Sequence, residues 1–122
     1  MPLATTITYI KEPSDLQCGQ AVLAMLCDKT VDEIINLVGT DRETTLKQML
    51  EALSALDIEY EAKRIAVTKK EQLPKACFLS LETPRCWHWS LYYDGVFYDP
   101  EYGVLEEFPP SARRYYWEII SN

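Results

Sequence analysis

The chain has 122 residues, enough for one domain around a single core. Its apolar content of 48% and charged content of 25% are those of an ordinary globular protein. Nineteen acidic residues against 12 basic ones leave a formal net charge of −7. That argues against a nucleic-acid partner, because phosphate neutralisation needs clustered Lys and Arg.

The two basic pairs, Lys69-Lys70 and Arg113-Arg114, read as solvated surface. No segment reaches the length of a transmembrane helix, so no membrane segment is expected. The N-terminus MPLATTITYIKEPSD lacks a long apolar core behind a basic start, and no signal peptide is expected. The four cysteines, Cys18, Cys27, Cys77 and Cys86, are therefore expected as free thiols in a reducing, cytoplasmic compartment. An unconventional secretion route leaves no mark in this test. Cys86 and His88 are a weak metal pair, and the chain has no C-x₂₋₄-C cluster, so neither metal nor cofactor is expected.

In chain order, Ile7, Thr8 and Tyr9 alternate as in a short strand. Ser14 and Asp15 are N-cap residues for a first helix, about 16–28, with Val22, Met25 and Leu26 at helical spacing. Thr30 and Glu33 form a capping box, and Gly39 ends that helix. Its apolar set is Val31, Ile34, Ile35 and Val38. Thr45 and Gln48 open a third helix with Leu46, Met49, Leu50, Leu53 and Leu56 as its buried stripe. The period then changes. Ile58, Tyr60 and Ala62 alternate with glutamates as a strand. Thr68 to Glu71 is a further capping box, and the apolar run Ala76 to Leu81 is a buried strand. Asp94-Gly95 is the strongest hairpin signal, and 113–120 reads as a last strand with a helix as the alternative. Helices followed by a mostly antiparallel sheet make one α+β domain over 1–122.

A two-residue turn at Asp94-Gly95 sets Tyr93 opposite Val96, Leu91 opposite Tyr98 and Ser90 opposite Asp99. His88, Ser90, Tyr92, Phe97 and Asp99 then share one face. The opposite face, with Trp89, Leu91, Tyr93, Val96 and Tyr98, is assigned to the core. Trp87 and Trp89 are read as core rather than substrate wall, with Trp87 lining a cleft at the strand mouth as the lesser alternative. His88 is the only histidine, so any cysteine–histidine mechanism must use it. As a diagonal neighbour, Asp99 is placed to accept from the imidazole, and Pro100 restricts its backbone.

The stretch LQCGQAVLAML puts Cys18 in the first turn of the first helix, where unpaired N–H groups and the helix dipole favour a thiolate. The same N–H groups are suited to hold an oxyanion. Gly19 is read as leaving room for substrate backbone. Cys27 and Cys77 lie in apolar runs and are expected buried; Cys86 is expected in an exposed loop.

The pieces DLQCGQAVLAML, LPKACFLSLE, HWSLYYDG and YDPEYG, in that order, resemble the bacteriocin-processing, double-glycine leader peptidases of the papain-like clan. The resemblance spans roughly Lys11 to Tyr102. It implies a bacterial cysteine hydrolase of papain-like fold, with Cys18 as nucleophile, His88 as general base and Asp99 as the residue orienting the base. That family usually carries an oxyanion-hole glutamine six residues before the cysteine; here the position is Glu12. Gln17 is the nearest amide that can replace it. The expected substrate is a peptide or protein amide, cleaved by a peptidase. A protein glutamine deamidase shares every chemical step and differs only in the leaving amine. The reading from another class is a peptidase-like binding module that has lost efficient turnover, which Glu12 favours. This sequence shows no membrane segment and no nucleotide-binding motif that would encode the family's transporter, so a separate transporter or target protein is left open as a partner.

Overall fold

The computed structural model describes residues 7–14 and 16–120. Among these, three helices precede the strands: α1 (Cys18–Cys27), α2 (Val31–Val38) and α3 (Leu46–Ala55). The capping boxes at Thr30/Glu33 and Thr45/Gln48 are both closed in each direction. Gly39 ends α2 at φ 86°, the left-handed conformation that costs glycine least. α1 starts differently. Ser14 turns the chain ahead of it, with the Gln17 N–H on the Ser14 carbonyl at 3.1 Å, and the N-cap is Gln17, whose side chain does not cap the helix. The expected cap at Ser14 is therefore displaced, and Asp15 lies outside the described residues.

The strands are β1 (Glu59–Tyr60), β2 (Ile65–Ala66), β3 (Ala76–Glu82), β4 (Trp87–Tyr93), β5 (Val96–Asp99), β6 (Gly103–Leu105) and β7 (Arg114–Ile120). They form a sheet in the order β1-β7-β3-β4-β5-β6, with β2 also on β7, and every recorded pairing is antiparallel. The last segment is a strand, and it is a central one. The alternating residues after Ile58 yield only two strand residues. Ile7 and Tyr9 are in no strand; this lead-in is held instead by the Tyr9 hydroxyl on the Asp99 carbonyl at 2.6 Å and the Glu12 N–H on the Pro100 carbonyl at 2.9 Å. The Thr68 turn closes on Gln72 rather than Glu71.

Strand alternation divides the core in two. One face of the sheet presents Ala76, Phe78, Leu91, Trp117 and Ile119 to α1, Ile34 and the Met49, Ala52, Leu53 stripe of α3. Phe78 stacks on Trp117 with centroids 5.2 Å apart. The other face presents Cys77, Leu79, Leu81, Tyr92, Phe97 and Tyr116 to Val67, Leu73 and Phe108. α1 is buried over its whole length because sheet, α2 and α3 surround it. It cannot shift without opening this core, so the residue at its N-terminus has a fixed position. Among the described residues no helix is long and apolar enough to cross a membrane.

Candidate active site

The hairpin forms in the expected register, with Leu91 opposite Tyr98, Tyr92 opposite Phe97 and Tyr93 opposite Val96. Asp94 and Gly95 both take positive φ, 48° and 88°, as a type I′ turn requires. The β4–β5 ladder ends at Leu91. Beyond it the outer edge of β4 is left to the N-terminus of α1, and the Trp89 N–H donates to the Cys18 sulfur at 3.4 Å. That contact seats the first residue of the helix against the residue after His88.

Asp99 and His88 meet on the other face of β4. His88 Nε2 bonds Asp99 Oδ1 at 2.8 Å, with both side chains buried. The Glu101 and Tyr102 N–H groups donate to the same oxygen at 2.9 Å each, and the Ser90 hydroxyl donates to Oδ2 at 2.8 Å. The turn after Pro100 thus wraps its amides around the carboxylate. Burial works to raise the Asp99 pKa, but His88 and these donors hold it below the usual carboxylate range. For His88, burial alone would lower the pKa. Hydrogen bonding to Asp99 and Cys18, and the negative charge of both, override burial and push it up to about 10. The imidazole therefore holds its proton at neutral pH.

Cys18 is 8% exposed and lines a cavity of about 440 Å³ with His88, Leu16, Thr44, Trp87 and Trp89. α1 has no acidic residue in its first turn and no side-chain cap, whereas α2 has both. The positive end of α1 is left for a negative group at Cys18. Cys27 and Cys77 are buried and Cys86 is exposed. Burial pushes the Cys27 thiol up to about 11 and pushes Cys77 up as well. A raised thiol pKa disfavours the thiolate at both.

The loop between α2 and α3 walls the cavity and is pinned from α1. Gln20 is fully buried and its amide donates to the Thr40 carbonyl at 2.9 Å and the Arg42 carbonyl at 2.7 Å. The Trp89 indole N–H donates to the Thr44 carbonyl at 2.8 Å. Gln17 donates to the Asp41 carbonyl at 3.1 Å. Its amide is committed to this loop rather than turned to the Cys18 sulfur. Glu12 is buried, with Oε1 3.8 Å from His88 Nδ1. The space beside Gly19 is not left for substrate: a Cβ there would lie 2.7 Å from Thr44 Oγ1 and 3.1 Å from Trp89 Cδ1. The glycine lets that loop and that strand close on the helix. Trp89 packs on Phe78 and Trp117 as expected of core, but Trp87 is 47% exposed at the cavity mouth, contrary to its expected burial. It opens β4 beyond the reach of the helices.

Glu12, His88 and Glu101 offer ligand atoms within 4.8 Å of one another. With Nε2 bonded to Asp99, a cation held there would need the other imidazole nitrogen, so the group is part of the same site. Ser90 and the 101–102 amides are the supports that sequence reasoning passed over. Ser90 was legible from the hairpin register; the amides depend on the turn after Pro100. No family model matches the chain, and no curated protein matches it significantly. Fold and geometry thus define an α+β protein with a cysteine and a histidine lining one cavity and an aspartate buried behind the histidine.

Proposed function

We propose that this protein is a cysteine hydrolase of papain-like architecture that cleaves a peptide or protein amide through a thioester, like the leader peptidases it resembles. One observation carries the reading: a buried histidine bonded to an aspartate at 2.8 Å lines the same cavity as a cysteine on an uncapped helix N-terminus. Cys18 and His88 act as a thiolate–imidazolium pair, with the thiol proton already on the imidazole, and the thiolate attacks the amide carbon. Backbone N–H groups at the start of α1 face the resulting oxyanion. His88 returns the proton to the leaving nitrogen as the C–N bond breaks. Water then attacks the thioester, giving its proton to His88, and Cys18 leaves as thiolate. Asp99 holds the tautomer and stabilises the imidazolium. Four free thiols fit a reducing, cytoplasmic setting.

A second reading, a peptidase-like binding module with weak turnover, is favoured by the Glu12 carboxyl 3.8 Å from His88. An ionised group there opposes a developing oxyanion. The deciding experiment is the pH dependence of iodoacetamide alkylation at each cysteine, read by peptide mass spectrometry in wild type and His88→Ala. The hydrolase requires Cys18 to react fastest, to stay reactive well below the thiol pKa of about 8.5, and to lose that reactivity without His88. Uniform, histidine-independent alkylation would sink it.

A further inference from the structure

We infer that the cavity beside Cys18 is a specificity subsite for a bulky apolar side chain, which makes the substrate a peptide carrying an aromatic or large aliphatic residue next to the scissile amide. The inference rests on the hydrolase reading for the scissile bond and on the cavity itself for the side chain. Strand alternation puts Trp87 and Trp89 on the face of β4 opposite His88, so the residue that contacts the nucleophile and the two that wall the cavity are consecutive in sequence. Leu16, just ahead of α1, lines it too. Apart from the Cys18–His88 pair, charged groups enter the lining only as Glu43 and Arg85, both exposed, and Thr44, Ser80 and Cys86 complete it.

Size permits it. A space of about 440 Å³ falls in the range of clefts that take a whole small ligand, so it has room for one bulky side chain. A glycine pair would leave it filled with water. Trp87 is also held in place. It stacks on Tyr115 with centroids 6.1 Å apart, and the Arg113 guanidinium lies 5.2 Å from the ring centroid. Arg113 is itself fixed by a fork to Glu82 at 3.1 and 2.8 Å. A large apolar ring remains 47% exposed yet pre-oriented, one residue from the histidine. A preorganised wall of this kind binds at a reduced ordering cost.

The test compares two covalent probes of Cys18, a Phe-bearing and a Gly-Gly-bearing peptidyl chloromethyl ketone, each normalised to iodoacetamide. Wild type is expected to react about tenfold or more faster with the Phe probe, the discrimination one apolar pocket supplies. Trp87→Ala is expected to lose most of that ratio, each probe rate being divided by the same variant's iodoacetamide rate, and Trp87→Phe to keep it. Equal or reversed selectivity in wild type would overturn the subsite, as would a ratio that survives Trp87→Ala. Selectivity that persists while Cys18 reactivity proves independent of His88 would support the subsite and remove the hydrolase reading, so the two fail separately.

Discussion

His88 Nε2 and Asp99 Oδ1 lie 2.8 Å apart across a hairpin, both out of solvent. Asp99 is over-determined, with the Ser90 hydroxyl and two backbone amides on its carboxylate. As the protein's only histidine, His88 can be followed without assignment by imidazole NMR. It is expected to remain protonated through neutral pH and to titrate near the pKa of about 10 that its partners impose. Asp99→Asn is expected to move that titration sharply down, because burial then acts without its strongest opponent. An unchanged titration would remove Asp99 from the mechanism.

Stability should respond to pH at both ends. The His88 pKa is raised from 6.5 to about 10, so its contribution is full below 6.5 and is lost as pH rises through about 10. Cys27, raised from 9.0 to about 11, acts in the same direction above pH 9, since only the unfolded thiol ionises readily there. Asp99 is lowered from 3.8, so its contribution is present above that value and is lost as pH falls below it. Calorimetric Tm from pH 3 to 10.5 is expected to show a plateau with two falling limbs, the acid limb shallower in Asp99→Asn.

Gly19→Ala tests close packing against helix propensity. The new methyl meets Thr44 Oγ1 and Cβ at 2.7 and 2.8 Å, on a loop pinned by Gln20 and Trp89. Overpacking costs about 1–3 kcal/mol. The better helix former returns only about 1 kcal/mol. Urea unfolding is expected to show net destabilisation, and Thr44→Gly in the same chain to restore part of it.

Glu12→Gln replaces a buried carboxyl beside His88 with an amide that can donate to an oxyanion. Turnover of a peptide substrate is expected to rise, with a ceiling near the ~10²–10³ that one such donor supplies. Unchanged kcat would assign the oxyanion to backbone N–H groups alone.

Ser90→Ala leaves Asp99 Oδ2 without its hydroxyl donor in a fully buried place. A buried acceptor stripped of its partner costs about 1–3 kcal/mol. Chemical denaturation is expected to show that loss, with the His88 titration shifted down by less than in Asp99→Asn.

Much of the site was legible because it is local. The hairpin register followed from Asp94-Gly95 and strand alternation, and that register alone brings Ser90 and His88 to Asp99. The two capping boxes were legible for the same reason: each joins residues three apart. Trp87 takes the lesser of its two readings, because alternation gives a face but not where along the strand the helices stop covering it. Gly19 was misread because its neighbours, Thr44 and Trp89, are far away in sequence.

The amino-acid order by itself determined the α+β division, the helix starts at Thr30 and Thr45, and the pairing of His88 with Asp99, since each depends on contacts within a turn or a hairpin. Only the tertiary structure decided that β7 lies inside the sheet between β1 and β3, that Gln17 serves the Asp41 carbonyl, that Glu12 sits beside His88, and that Cys18 meets the open edge of β4. Those contacts join segments tens of residues apart. They are selected by how helices and sheet bury their apolar faces together, which no short stretch encodes.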